Sequence, residues 1–251
     1  GGGILAERGT LTLNGGEIKN NSAANGAGVT IDGGAQVVLD GTSITDNNAV
    51  DYGAGVYIQG FSNIDGLDTV FEMRSGVIRG NVAENATGAG IFGYYYNGNT
   101  VIRISGGIIK DNVADIGSAV AILGLNGSTA YPRLELSGSP EIVGDIFYQN
   151  DYEDGYVIYV TDEFSPAQPV EITRSNNLYD IPAVEYDTAL TPNREDFSSG
   201  AIFEGFVVKG QNLVWSKASI VYFYDEDKTE YKDYRHGVVL GEKIDIADTP
   251  M

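Results

Sequence analysis

The side chains able to do chemistry in this chain are nearly all carboxylates. Its 251 residues hold 35 Asp and Glu against 15 Lys and Arg, a formal charge of −20, with no Cys and one histidine, His236. Absent Cys removes thiolate metal sites, cysteine nucleophiles and a disulfide framework, and one His cannot build a histidine-rich metal centre. A Ser-His-Asp site would have to use His236 in YRHGVV, yet no G-x-S-x-G elbow exists to serve it. No phosphate-binding loop ending in G-K-[ST] is present either. Such an acidic chain repels a phosphate backbone, so nucleic acid is a poor partner unless metal ions intervene, and none is expected.

Paired acids would support glycoside chemistry, and acids with Arg around calcium would support a lyase. Asp40, Asp46, Asp65, Asp68, Asp111 and Asp115 fall at non-equivalent positions of a repeat described below, with Arg74, Arg79 and Arg103 nearby in sequence. That scatter reads as solvated surface charge. DIFYQNDYED from Asp145 and DEDKTEYKD from Asp225 are rich in oxygen ligands, but neither has EF-hand or nonapeptide spacing. No cofactor is expected and no catalytic residue is assigned; structural calcium is the one ion these segments leave open. For binding, the adjacent aromatics Tyr94, Tyr95 and Tyr96 are the candidates, alternation setting Tyr94 and Tyr96 on one side. Trp215, the single Trp, sits close to Leu213 and reads as packing.

The elements that position these residues repeat. GGEIKNNSAANGAGVTI from Gly15 returns as TSITDNNAVDYGAGVYI from Thr42, SGVIRGNVAENATGAGIF from Ser75 and GGIIKDNVADIGSAVAI from Gly106. Aligned on Ile18, Ile44, Ile78, Ile109 and Ile142, the first four units carry Leu13, Leu39, Met73 and Ile104 five residues earlier. Leu11, Val37, Phe71 and Ile102 precede these by two, the period of a strand with one buried face. In the fifth unit Leu134 and Leu136 stand one step further back, which predicts a small insertion near Pro140. Three residues after each reference come Asn21, Asn47, Asn81, Asn112 and then Asp145, followed two residues on by Ala23, Ala49, Ala83, Ala114 and then Phe147. The aligned amides predict a structural turn ladder, with Asp145 ending it.

Each unit therefore predicts three short strands separated by turns. Strands this short cannot bury a face alone, but coils stacked at ~4.8 Å can, so the fold is expected to be an all-β parallel β-helix. Residues 1–180 should form it, with clear repeats to about 145, and the insertions Gly60–Thr69 and Gly93–Thr100 should project as loops. Residues 181–251 are expected to form a β-rich cap on the helix end, with a hairpin in ASIVYFYDEDKTEYKDYRHGVVL. The chain opens inside a repeat, GGGILAERG, and so reads as a segment of a larger protein.

LTLNGGEIKNNSAANGAGVTI and VIRISGGIIKDNVA resemble the "SGGTISGNTA...GGGVYV" repeats of large bacterial adhesin-like surface proteins. A looser likeness links them to chlamydial polymorphic membrane proteins, whose FxxN motif is replaced here by IKNN, ITDN, IRGN and IKDN. The resemblance is good to about Asp145 and says little about the tail. It implies a right-handed, single-stranded β-helix in an exported chain, without a family catalytic site to carry over. The expectation is an extracellular scaffold at a bacterial surface, secreted or wall-associated, contacting a host glycan, matrix or cell-surface protein without inserting in a membrane. A polysaccharide-active lyase or hydrolase and an inert spacer are the alternatives.

Overall fold

A computed structural model of the chain describes residues 1–60, 67–95, 99–124, 132–149, 158–175, 178–201, 204–224 and 231–239. The chain winds as an all-β, right-handed parallel solenoid with a less regular C-terminal region. Its first sheet stacks Ile4–Glu7, Val29–Asp32, Val56–Gly60, Ile91–Tyr95, Val120–Leu123, Asp145–Tyr148, Val170–Arg174 and Phe197–Ser199. The second begins with Thr10–Leu13, Gln36–Leu39, Thr69–Met73, Thr100–Ile104 and Arg133–Gly138, all parallel. The third stacks Glu17–Lys19, Ser43–Thr45, Val77–Arg79, Ile108–Lys110 and Glu141–Ile142.

Register follows the aliphatic alignment. Ile18, Ile44, Ile78, Ile109 and Ile142 are successive partners in the third sheet. Leu13, Leu39, Met73, Ile104 and Leu136 are successive partners in the second. From the second coil onward these residues fill one continuous buried core. The extra residue of the fifth unit falls where Gly138 adopts a left-handed conformation, φ 64°, just before Pro140.

A fourth sheet was not foreseen. Ser22–Asn25, Asn48–Tyr52, Val82–Thr87 and Val113–Ile116 pair in parallel over the stretch expected to be a turn. Its inward residue is only an alanine, and Ala49, Ala83, Ala27, Ala54 and Ala89 form a separate small cluster behind the main core. Alanine carries little strand preference, so the period-two signal is weak there.

The corners explain the repeated N and GAG motifs. Asn20, Asp46, Gly80 and Asp111, each just before a ladder asparagine, have φ between 54° and 66°. Those are residue types that tolerate left-handed backbone. Asp46 and Asp111 thus have a backbone role at corners of different coils. At the next corner the second glycine of GAG meets the asparagine column: a Cβ on Gly55 would fall 2.5 Å from Gly90 O and 3.1 Å from Asn81 Nδ2. Only a bare backbone leaves the amide its place.

The asparagines are bonded in series. Asn47 donates its backbone N–H and its Nδ2 to Asn81 Oδ1, at 3.1 and 2.9 Å, and Nδ2 also donates to Ile18 O in the preceding coil. Asn21 donates likewise to Asn47, and Asn81 to Asn112.

Asp145 does not join this row. After Glu141–Ile142 the chain omits the fourth sheet and returns at once to the first, where Ile146 pairs with Val120 and Phe147 with Ala121. In earlier coils the left-handed glycine of GAG donates to a fourth-sheet carbonyl one coil on, as Gly88 does to Ile116 O. With no such strand above Gly117, the Asp145 carboxylate takes its N–H at 3.0 Å, together with the Ser118 N–H and hydroxyl at 2.7 and 3.0 Å. Thr173, one coil further on, donates to the same carboxylate at 2.7 Å. A carboxylate can accept all four because it has no N–H to place, which suits the end of a sheet rather than its middle.

The solenoid then narrows to two sheets. Parallel pairing continues past residue 180, through Ile158–Phe164 with Pro182–Tyr186 and Val170–Arg174 with Phe197–Ser199. Antiparallel strands follow, with Asn212–Tyr224 between Glu204–Lys209 and Tyr231–Val239, the last being the expected hairpin. Asn212–Tyr224 also pairs with Pro182–Tyr186, so the tail closes the second sheet. Trp215, 1% exposed, packs on Phe206 and donates to Tyr148 OH at 2.5 Å inside the main core.

Two stability predictions follow from these bonds. Asn81→Ala strands the donors of Asn47 in a fully buried site and should cost about 3 kcal/mol, read as a lowered urea midpoint. Asp145→Ala should cost about 2 kcal/mol, and Asp145→Asn less, because an amide oxygen still accepts part of the set.

Candidate contact surface

Two of the expected binding residues, Tyr94 and Tyr95, fall at the end of a first-sheet strand. Tyr94 and Tyr95 end the strand Ile91–Tyr95 and are half-buried; Tyr96 lies outside the described residues, as does most of the Gly60–Thr69 insertion. Tyr94 pairs with Gln59 and Leu123, and Tyr95 with Gly60, so the two tyrosines point to opposite sides of the strand.

Tyr94 belongs to a larger aromatic group. Its ring lies 6.3 Å from Phe92, which stacks on Tyr57 at 5.5 Å from the neighbouring coil and on Tyr52 at 4.6 Å. Phe92, at 2% exposure, is the hub, while Tyr52 is 39% exposed at the corner. The parallel rings are the side-chain counterpart of the coil repeat: aligned outward positions bring rings to stacking distance. Tyr52, Tyr57 and Phe92 were missed as members. The signal for Tyr57 and Phe92 was available, since Thr30, Tyr57, Phe92 and Ala121 occupy one outward column of the aligned units.

A polar margin borders the rings. Tyr57 OH donates to Gln59 Oε1 at 2.6 Å, and Gln59 Nε2 donates to Asp32 Oδ2 at 3.0 Å. Burial, with Tyr94, Asp32 and Tyr52 adding to it, pushes the Tyr57 phenol up to about 12. Aromatic edges beside an amide and a carboxylate make this the candidate contact surface.

The remaining candidate acids do not converge. Asp40 accepts from the Ser75 hydroxyl at 2.7 Å, Asp68 from Asn99 Nδ2 at 2.9 Å, and Asp115 is exposed in the fourth sheet. Arg74 pairs with Glu72, and Arg103 with Glu135, on the second sheet. Asp65 lies outside the described residues, as do the distal part of the Asp145 segment and most of the Asp225 segment. Among the described residues no group of three or more His, Asp or Glu is placed to hold a metal ion. His236 lies in the hairpin strand Tyr231–Val239.

Comparison with protein-family models, curated proteins and solved structures returned no match. The class that the geometry defines is the β-solenoid.

The Tyr57 environment makes a titration prediction. In 13C-tyrosine NMR its ring should stay protonated through the ordinary phenol midpoint of ~10 and titrate near about 12, a signal absent from Tyr57→Phe. Because the folded state keeps a proton that the unfolded chain loses, Tyr57 stabilises the fold below the ordinary phenol value. That contribution should disappear as pH rises from ~10 towards about 12.

Proposed function

We propose that this chain is a non-catalytic display module of a bacterial surface protein, acting outside the cell as an adhesin-like scaffold. The observation that supports this reading best is how its buried polar groups are used. Among the described residues, Thr42, Asn47, Thr69, Asn81 and Asn112 bond to an adjacent coil, and Thr100 closes a loop onto Tyr94 O. Side chains consumed in this way give length and rigidity and are not free for chemistry. The aromatic surface around Phe92, with Tyr94 at its edge, is the contact region, and its partner is a glycan, a matrix protein or a cell-surface protein.

A polysaccharide-active enzyme is the rival. One cleft favours it, because Glu163 and Asp196 both line it. Its volume of about 310 Å3 suits a single small group better than the run of sugar rings that a polysaccharide would lay along a groove.

The deciding experiment presents the purified chain to glycans and extracellular-matrix proteins, with and without calcium. Alongside it run a triple alanine variant of Tyr94, Tyr95 and Tyr96, and Tyr52→Ala. Display predicts reproducible binding that weakens at least about fivefold in the aromatic variants. Silence throughout would leave a spacer, and breakdown of any polysaccharide would replace the display reading with the enzyme.

A further inference from the structure

The narrowing of the solenoid creates a cleft that the display reading does not use. Ile158–Phe164 runs along the second sheet, and beyond it Ser165 and Ala167 donate backbone N–H groups to Gly138 O and Pro140 O, towards the last third-sheet strand. The segment after Pro182–Tyr186 folds over this gap. Val160, Phe164, Tyr186 and Leu190 form the apolar walls, with Glu163 and Asp196 as the charged members.

The covering segment is held in place from several directions. Tyr186 OH donates to Asn193 O at 2.9 Å, and Gln211 Nε2 donates to both Asp187 O and Leu190 O, at 2.8 and 3.0 Å. Asn193 Oδ1 accepts the Glu195 N–H that opens the short 3-10 turn Arg194–Asp196, and its Nδ2 donates to Asp196 Oδ1 at 2.9 Å. Phe164 stacks on Phe197 at 5.5 Å, which fixes one wall. A loop tied by backbone, amide and phenol bonds is pre-organised, so a ligand need not pay to order it.

The charge at the cleft is one-sided, with Glu163 exposed and Asp196 half-buried. No Lys or Arg lines the cleft among the described residues, and Asp196 has only the neutral Asn193 amide as a partner. Burial raises the Asp196 carboxyl above its ordinary value and Glu195 adds to that, while the Asn193 bond opposes both. A carboxylate that is partly desolvated and not ion-paired is best relieved by a cation, and aromatic walls favour cations over other small groups. Apolar walls in turn favour a cation carried on an alkyl stem over a hydrated metal ion.

We infer that this cleft binds a primary alkylammonium group, with the alkyl stem against Phe164, Tyr186 and Leu190 and the ammonium between Glu163 and Asp196. The two sources of that chemistry are a free alkylamine and a lysine side chain on a protein. The site stands independently of the aromatic contact surface, on the other side of the narrowing.

The test is a 1H-15N NMR titration of the whole chain with n-butylammonium, n-butanol, butyrate and Nα-acetyl-lysine methylamide as separate probes. Butylammonium should shift amides around Leu190 to Asp196 with an affinity in the millimolar range, and butanol and butyrate should bind at least about tenfold more weakly. Equal response to the lysine derivative assigns the site to protein-borne lysine as well as free amine, and response to butylammonium alone restricts it to free amines. Asp196→Asn and Glu163→Gln, each checked for an unchanged spectrum elsewhere, should each weaken butylammonium by about fivefold or more. Butanol binding as well as butylammonium, an unchanged affinity in both variants, or shifts confined to other regions would overturn the assignment. None of these outcomes depends on whether the chain adheres to glycan or matrix.

Discussion

The fold depends on hydrogen bonding between successive coils at one corner. A strand of three or four residues contributes too few backbone bonds to hold its register, and unit lengths here differ by up to eight residues between successive reference isoleucines 26 and 34 apart. Something must bring the chain back to the same height on every turn. The asparagine column does so: Asn47 accepts from the backbone and side chain of Asn21, donates on to Asn81 in the next coil, and also donates back to Ile18 O in the coil it accepts from. Because the amide is both donor and acceptor, the row can propagate without change. Length variation is thereby confined to the opposite corners, where insertions leave the core undisturbed.

That constraint reaches the neighbouring positions. A left-handed residue must precede the asparagine to turn the chain, which limits it here to Asn, Asp or Gly. The corner that opens the first sheet must offer bare backbone beside the amide, which accounts for Gly28, Gly55 and Gly90. Between these corners the inward residue is confined to alanine, so the fourth sheet is thin and adds little apolar area. A row of glycines that resembles a ligand loop when met once is a packing requirement when met in every coil.

This division also sets what was legible in the sequence. The second and third sheets could be read residue by residue, because large aliphatics mark their inward positions and the alignment on isoleucine preserves them. The fourth sheet could not, since Ala23, Ala49, Ala83 and Ala114 give no amphipathic contrast against Ser, Asn and Val neighbours. Asp145 was misplaced for a related reason. Spacing from Ile142 alone matches an asparagine position, and only the three-dimensional path shows that the chain has already left for the first sheet. The aromatic surface was half legible: adjacent tyrosines signalled its edge, whereas its hub Phe92 gathers rings from residues 40 positions apart in sequence, Tyr52 and Phe92.

Ending such a structure is a harder physical problem than extending it. Each coil satisfies its neighbours only if the next coil exists, so removing a sheet exposes the N–H groups that the missing strand would have met. Asp145 addresses this locally by substituting one side-chain carboxylate for a carbonyl and tying in Ser118 and Thr173 from the coils on either side. The apolar interior needs a separate closure, since a narrower coil leaves core residues uncovered. Large rings supply it: Tyr148 points inward in place of an aliphatic, and Trp215 arrives from an antiparallel strand to bond with it. Arg174, with its guanidinium 4.0 Å above the Trp215 ring and its side chain almost wholly buried, is anchored by Glu204 across the same junction. The departure from repeat sequence after Asp145 is therefore what termination demands, because no residue pattern that propagates a ladder can also end one.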